Sequence, residues 1–205
     1  MYVPSSFAVN DSDRLREFIA SNGFATLVTY DGNVPFASHL PILLRRDDHG
    51  FGTLVAHLAR ANPQWRHFAD GREALVIFQG PHAYVSPMWY ESQPAVPTWN
   101  FTAVHVYGTP RIVSERTQVL AILDQLVTFY ESPRTNPWSG ELPDDYRDQL
   151  VAGIVAFEIP VRHVEGKFKL GQNRSQADQD GVAAALAQSD RESDRHVAAM
   201  MRRAT

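Results

Sequence analysis

The chain has 205 residues, 44% of them hydrophobic and 20% charged, which suits a folded domain with one substantial core and is a globular composition, not a disordered one. It contains no cysteine and carries a formal net charge of -4 at pH 7, so disulfides, thiolate metal sites and cysteine nucleophiles are excluded and charge gives no support to direct gripping of duplex DNA. The opening MYVPSSFAVNDSDRL lacks the basic and apolar regions of a secretory signal, and no apolar run reaches bilayer-spanning length, so a cytoplasmic setting without a membrane partner is expected.

Asp11 or Ser12 caps a first helix whose Leu15, Phe18 and Ile19 share a face, with Gly23 as a left-handed stop. Phe24 to Tyr30 is β-branched and aromatic, Asp31-Gly32 is a turn dipeptide, and Phe36 to Leu44 resumes the apolar run, which predicts a hairpin. A polar turn over 45–50 precedes a third strand, Phe51 to Leu58, and a short helix opens at Asn62-Pro63 and closes near Gly71. Glu73 to Gln79 reads as a strand, and the Pro-, Tyr- and Trp-rich stretch from Gly80 to Pro97 as an ordered loop. Asn100 to Val113 is a long strand bent at Gly108-Thr109-Pro110. Ser114 to Glu131 is a helix with an apolar stripe wide enough to pack on two sides. Asp144 to Val151 is a short helix whose Asp144-Asp145 pair complements the helix dipole. Ile154 to Glu165 is a strand breaking at Pro160, and a polar helical tail follows from Ala177. Hairpin-rich strands with helices at the start, middle and end predict one α+β domain around an antiparallel barrel.

The most informative stretch is Val55 to Trp65, where a strand ends, Arg60 follows and Asn62-Pro63 starts a helix. A helix start offers backbone N–H groups and partial positive charge, and a guanidinium beside it can close over a phosphate; the same residues also make a plain capped helix beside a surface arginine. Ser38 and His39, on the preceding strand, fall near this end. His39 and His57 alternate with apolar residues and either donate to a ligand oxygen or satisfy a core partner. Tyr84, Trp89, Trp99 and Phe101 supply flat walls, and Gln79 and Asn100 amides that suit the edge of a heteroaromatic ring; an aromatic dimer core accounts for the same rings. Both lysines, Lys167 and Lys169, sit together beside Gln172, Asn173 and Arg174 as a local anion or ligand contact. No H-E-x-x-H, G-x-S-x-G, phosphate-loop or dinucleotide glycine motif occurs, so a metal centre is not expected, and hydrolase, NTPase and Rossmann readings lack their minimum parts.

Taken together, Met1-Tyr2-Val3-Pro4, Ser38-His39-Leu40-Pro41, the run His57 to Pro63, the run Phe78 to Pro87, Pro97-Thr98-Trp99-Asn100 and the run Lys169 to Arg174 resemble the PaiB family of FMN-binding split-barrel proteins, negative transcriptional regulators. The resemblance implies a six-stranded split β-barrel with peripheral helices over 1–205, a helical C-terminal extension over 176–205, and a homodimer binding FMN in two clefts at the subunit interface. It implies phosphate contacts from Arg60 and Asn62, ribityl and ring contacts from Ser38 and His39, and a flavin-edge contact from Gln79. Trp99, Asn100, Lys169, Gln172 and Asn173 would close the site, some from the partner chain. The family commonly has Ser and Tyr where this chain has Gly171 and Phe101. The tail shows no helix-turn-helix pattern, so a DNA or other regulatory partner rests on the resemblance alone. Three functions follow as expectations: a flavin-dependent regulator or sensor, an FMN-dependent oxidoreductase using NAD(P)H, and a haem-binding barrel ligated by His39 or His57.

Overall fold

In the computed structural model, which describes residues 1–47 and 50–204, a 3-10 turn (Ser5–Phe7) leads into a short strand, β1 (Ala8–Val9), and a capped helix. The Asp11 carboxylate accepts from the backbone N–H groups of Asp13 and Arg14 at 2.9 and 3.1 Å, fixing the first turn of α1 (Ser12–Ser21). Gly23 is not the left-handed stop the sequence suggests, since it is not among the glycines with positive φ. A Cβ there would lie 2.8 Å from the Tyr130 hydroxyl and 3.4 Å from the Ile42 carbonyl oxygen, so a side chain at this position would displace the Tyr130 hydroxyl.

The expected hairpin forms between β2 (Phe24–Tyr30) and β3 (Pro35–Pro41), in register from Phe24 opposite Pro41 to Tyr30 opposite Pro35. Asp31 closes its turn by accepting from the N–H groups of Asn33 and Val34, both at 2.7 Å. The apolar run predicted to continue to Leu44 instead breaks at Ile42, and β4 (Leu43–Arg45) pairs with β5 (Thr53–Ala59). Asp48 and His49 of the expected polar turn lie outside the described residues, as does Thr205 at the end of the tail.

The remaining strands are β6 (Ala74–Val85), β7 (Thr98–Gly108), β8 (Arg111–Val113), β9 (Ile154–Pro160) and β10 (His163–Lys169). Two sheets result, with orders β1-β10-β7-β6-β2-β3 and β4-β5-β9-β8. The bends expected near Pro110 and Pro160 are real, and at each the chain passes from one sheet to the other. A further expectation fails: Gly80 to Val85 continues β6 rather than looping. Its alternating burial, with Ala83 and Val85 inside and Tyr84 outside, is the strand period that the Pro and Gly of this stretch obscure in the sequence.

The chain divides into two compact units, one made of Met1–Phe18, Gln79–His105 and Glu165–Thr205, the other of Ile19–Phe78 and Val106–Val164. In the first, the Phe18 and Phe168 rings meet at 5.0 Å, and helices α4 (Gln176–Ala187) and α5 (Glu192–Ala204) bury Val182, Leu186, Val197 and Met201. In the second, Val119, Ile122 and Leu126 of helix α2 (Arg116–Glu131) pack with Leu43, Val55 and Ala156; burying a side chain such as Ile122 stabilises by roughly 1.5–3 kcal/mol. The helix buries one side only: Phe129 and Tyr130 each stay 39% exposed. Helix α3 (Asp144–Ala152) starts with Asp144 and Asp145 in its first turn, and Asp144 pairs with Arg147, as the dipole reading requires.

Candidate functional site

The candidate residues fall into two groups, one in each unit. In the second unit, β5 ends at Ala59 and the chain turns, with the Asn62 N–H donating to the Ala59 carbonyl at 2.9 Å. The Asn62 side chain accepts from the Gln64 N–H at 3.0 Å and donates to Ser38 Oγ at 2.8 Å. The helix that begins there, Pro63–Asp70, is 3-10 in type, and its left-handed end at Gly71 has φ 63. The start is therefore as predicted, but it is less open to an anion than an uncapped α-helix: Pro63 has no N–H, and that of Gln64 is taken by Asn62. What stays available is the Ser38 hydroxyl hydrogen and part of the Arg60 fork. Arg60 donates from Nε to the Ala152 carbonyl at 2.8 Å and from one terminal nitrogen to the Ile154 carbonyl at 2.7 Å; a guanidinium has further N–H groups beyond these two.

Ser38 and His39 point to opposite faces of β3. Ser38 lies opposite buried Leu27, whereas His39 lies opposite Thr26 on the outer face. There Thr26 Oγ1 and His39 Nδ1 are 2.9 Å apart, and the imidazole stacks against Phe24 at 6.5 Å. His57 lies opposite Ala156 in the register of β5 with β9. Its Nδ1 is buried without a partner among the described residues, and burial holds its pKa below the ordinary 6.5.

In the first unit, Lys169 Nζ donates to the Thr98 hydroxyl and to the Trp99 carbonyl, both at 2.6 Å. Burial lowers its pKa, with the charges of Lys167 and Arg174 acting in the same direction. Gln172 closes its own turn, accepting from the Leu170 N–H at 2.8 Å and donating to the Phe168 carbonyl at 2.6 Å. Gly171, between them, has φ +87, a conformation in which a side chain would be strained. Asn173 is exposed.

Trp99 and Asn100 are neighbours on β7 and so face opposite ways. Asn100 is 3% exposed and donates to the Met201 sulfur at 3.5 Å. Trp99 is 48% exposed and packs against His82 and Tyr84 at 6.1 and 6.0 Å. On the same face of β7 as Trp99, Phe101 carries Lys167 Nζ 5.2 Å from its ring centre. Gln79 is exposed on β6. Trp99 and Tyr84 thus form an outward aromatic face on this unit, beside the pair of Phe101 with Lys167.

Sequence reasoning missed Gln64. It is fully buried, and its amide nitrogen lies 3.0, 3.1 and 3.2 Å from the Leu27 carbonyl, Thr29 Oγ1 and the Phe36 carbonyl. It ties the 3-10 helix to the β2–β3 hairpin that carries Ser38. A polar residue sharing a helix face with Phe68, four residues on, was the available signal. Also missed were Thr26 as the partner of His39 and His82 as the neighbour of Trp99. Among the described residues there is no cluster of metal-ligating side chains and no helix long and apolar enough to cross a membrane.

A family model described as "Putative FMN-binding domain" matches residues 1–163. The chain belongs to this family. Its PaiB character is carried by a relative from Bacillus subtilis strain 168, protease synthase and sporulation protein PAI 2, which is 37% identical over 204 residues, 98% of this chain and 96% of that one. Among solved structures, the FAD and haem binding protein of Mycobacterium smegmatis superposes with a TM-score of 0.63 at 19% identity, covering 86% of this chain and 79% of that one. The flavocytochrome Anf3 of Azotobacter vinelandii gives a TM-score of 0.62 at 13% identity, covering 79% and 69%. At these identities the likeness is one of fold: antiparallel sheets with peripheral helices. The PaiB-type chain shares that fold, and its own side chains must argue the chemistry.

Proposed function

We propose that this PaiB-type chain is a cytoplasmic FMN-binding homodimer, a six-stranded split barrel that serves as a flavin-dependent sensor or negative transcriptional regulator. The observation that carries the reading is the 2.8 Å bond from Asn62 to Ser38 beside Arg60, in a chain whose residues 1–163 match an FMN-binding family. The residues fit the group: a hydroxyl donor and a partly uncommitted guanidinium suit a phosphate, and the exposed Trp99 and Tyr84 with the half-buried Phe101 suit a planar ring.

In this reading Ser38, Arg60 and Asn62 hold the phosphate end. Trp99, Lys169, Gln172 and Asn173 of the second subunit close over the ring, with Gln79 at its edge. Asn100 holds the β7 end in place from the inner side. His57 serves the site by shape rather than charge, because burial keeps it neutral near pH 7. His39 presents its outer ring edge to the partner or the flavin. Bound FMN would supply one- and two-electron redox chemistry; the chain supplies binding, orientation and exclusion of water.

The test is the visible spectrum and molar mass of full-length protein purified with flavin supplementation, with the chromophore released and identified. FMN on a dimer is expected, and a colourless monomer would sink the proposal. Arg60→Ala should weaken FMN by about tenfold or more relative to riboflavin, since charge-assisted bonds contribute about 1.5–3 kcal/mol; equal losses for both ligands would remove Arg60 from the phosphate. Anaerobic bleaching by NADPH with multiple turnover would assign an oxidoreductase instead of a sensor.

A further inference from the structure

A cavity of about 300 Å³ lies within the second unit, walled by Arg60, Trp65, Ser114, Arg116, Val119 and Val151 among others. Of these residues the flavin reading uses Arg60 alone. Its walls combine an aliphatic floor from Val119, Val151 and Val155, an indole side and a hydroxyl. Its ionisable lining is two arginines with no carboxylate, in a chain whose net charge is -4. That volume sits at the lower end of the range for small-ligand pockets, about 300–1,000 Å³.

Arg60 is held by the cavity wall itself, and Arg116 from outside it. Arg60 is bracketed to the 152–154 turn by its side chain and by its backbone N–H, which donates to the Gly153 carbonyl at 2.8 Å. Arg116 is fixed by its ion pair with Asp148. Each fork still has donors to offer, and Ser114 has its hydroxyl. Glu115, the nearest acid in sequence, is occupied in accepting from the N–H groups of Thr117 and Gln118 at 3.1 and 2.9 Å as the cap of α2.

We infer that this cavity binds a small organic carboxylate with a compact apolar body, the carboxylate on Arg116 and Ser114 and the body between Trp65 and the valine floor. A bare inorganic anion would leave the apolar floor unused, and a neutral ligand would accept less strongly than a carboxylate from the N–H groups that Arg116 keeps beyond its pair with Asp148. The site is separate from the flavin reading except that Arg60 forms part of its wall, so Arg116 is the residue to vary.

The experiment is calorimetric titration of the full-length protein, with FMN added, using benzoate, benzyl alcohol and inorganic phosphate as probes. Benzoate should bind saturably, and benzyl alcohol and phosphate each at least about tenfold more weakly, a difference of about 1.4 kcal/mol. Arg116→Ala should lower benzoate affinity by about tenfold while leaving that for benzyl alcohol unchanged. Ser114→Phe, at the exposed rim, should block both organic probes with an unchanged melting temperature. Equal binding of the three probes, or benzoate binding indifferent to Arg116→Ala, overturns the inference; so does no heat with benzoate. A chain that fails to hold FMN yet titrates with benzoate separates the two claims.

Discussion

Two polar groups in this molecule are built from similar residues and put to different uses. Around Asn62, side chains reach other elements: Asn62 bonds Ser38 on β3, and Gln64 bonds Thr29 and two carbonyls of the β2–β3 hairpin. Around Lys169, side chains bond mostly to main chain: Lys169 to the Trp99 carbonyl, and Gln172 to the Leu170 N–H and Phe168 carbonyl. The first arrangement clamps separate elements to one another and leaves a hydroxyl hydrogen free. The second sets the shape of a single turn and the end of β7. A glutamine is therefore a clamp at one position and a turn closer at the other, and what decides is burial, complete at Gln64 and partial at Gln172.

That contrast predicts unequal costs. Gln64→Leu should lower the unfolding free energy by about 2–3 kcal/mol, because buried carbonyls and the Thr29 hydroxyl lose their donor. Urea denaturation reads this directly, and a loss below that of Gln172→Leu would break the comparison. Gln172→Leu should cost about 1 kcal/mol, since water reaches the half-buried groups it leaves. A pH series sharpens the picture for a residue whose buried Nδ1 has no partner among the described residues. His57 has a folded pKa held below 6.5 by burial, so its neutral form is favoured by folding. Stability should fall as pH drops below about 6.5 and level off once pH passes the folded value. His57→Gln should flatten that limb without abolishing it, because His105 is lowered mainly by burial as well; an unaltered slope would exclude His57. The smallest effect is expected at the surface, where Arg45 pairs with Glu158 at 3.1 Å. Arg45→Ala should change the denaturation midpoint by the equivalent of less than about 1 kcal/mol.

Local signals carried much of this structure. Asp11 and Asn62 cap where their side chains predict, Asp31-Gly32 turns the hairpin, and Pro110 and Pro160 bend or break strands. These outcomes depend on residues within a few positions of one another, where short-range sterics and hydrogen bonding dominate. The misreadings share the opposite cause. Gly23 answers to the Tyr130 hydroxyl more than a hundred residues away, and β6 runs through Gly80 and Pro81 because a sheet position overrides turn chemistry.

For the candidate site, the sequence by itself determined the cast: which hydroxyls, amides, cations and rings the chain has, and that together they mark the PaiB family. It also determined that a strand gives way to a helix at Asn62-Pro63. Only the tertiary structure decided how those groups are spent. It turned Ser38 inward and His39 outward, tied Arg60 to carbonyls of the 152–154 turn, exposed Trp99 while burying Asn100, and placed Gln64 under the hairpin. Hydrogen-bond partners that lie far apart in the chain are set by strand register and burial, and neither is written in any local stretch of residues.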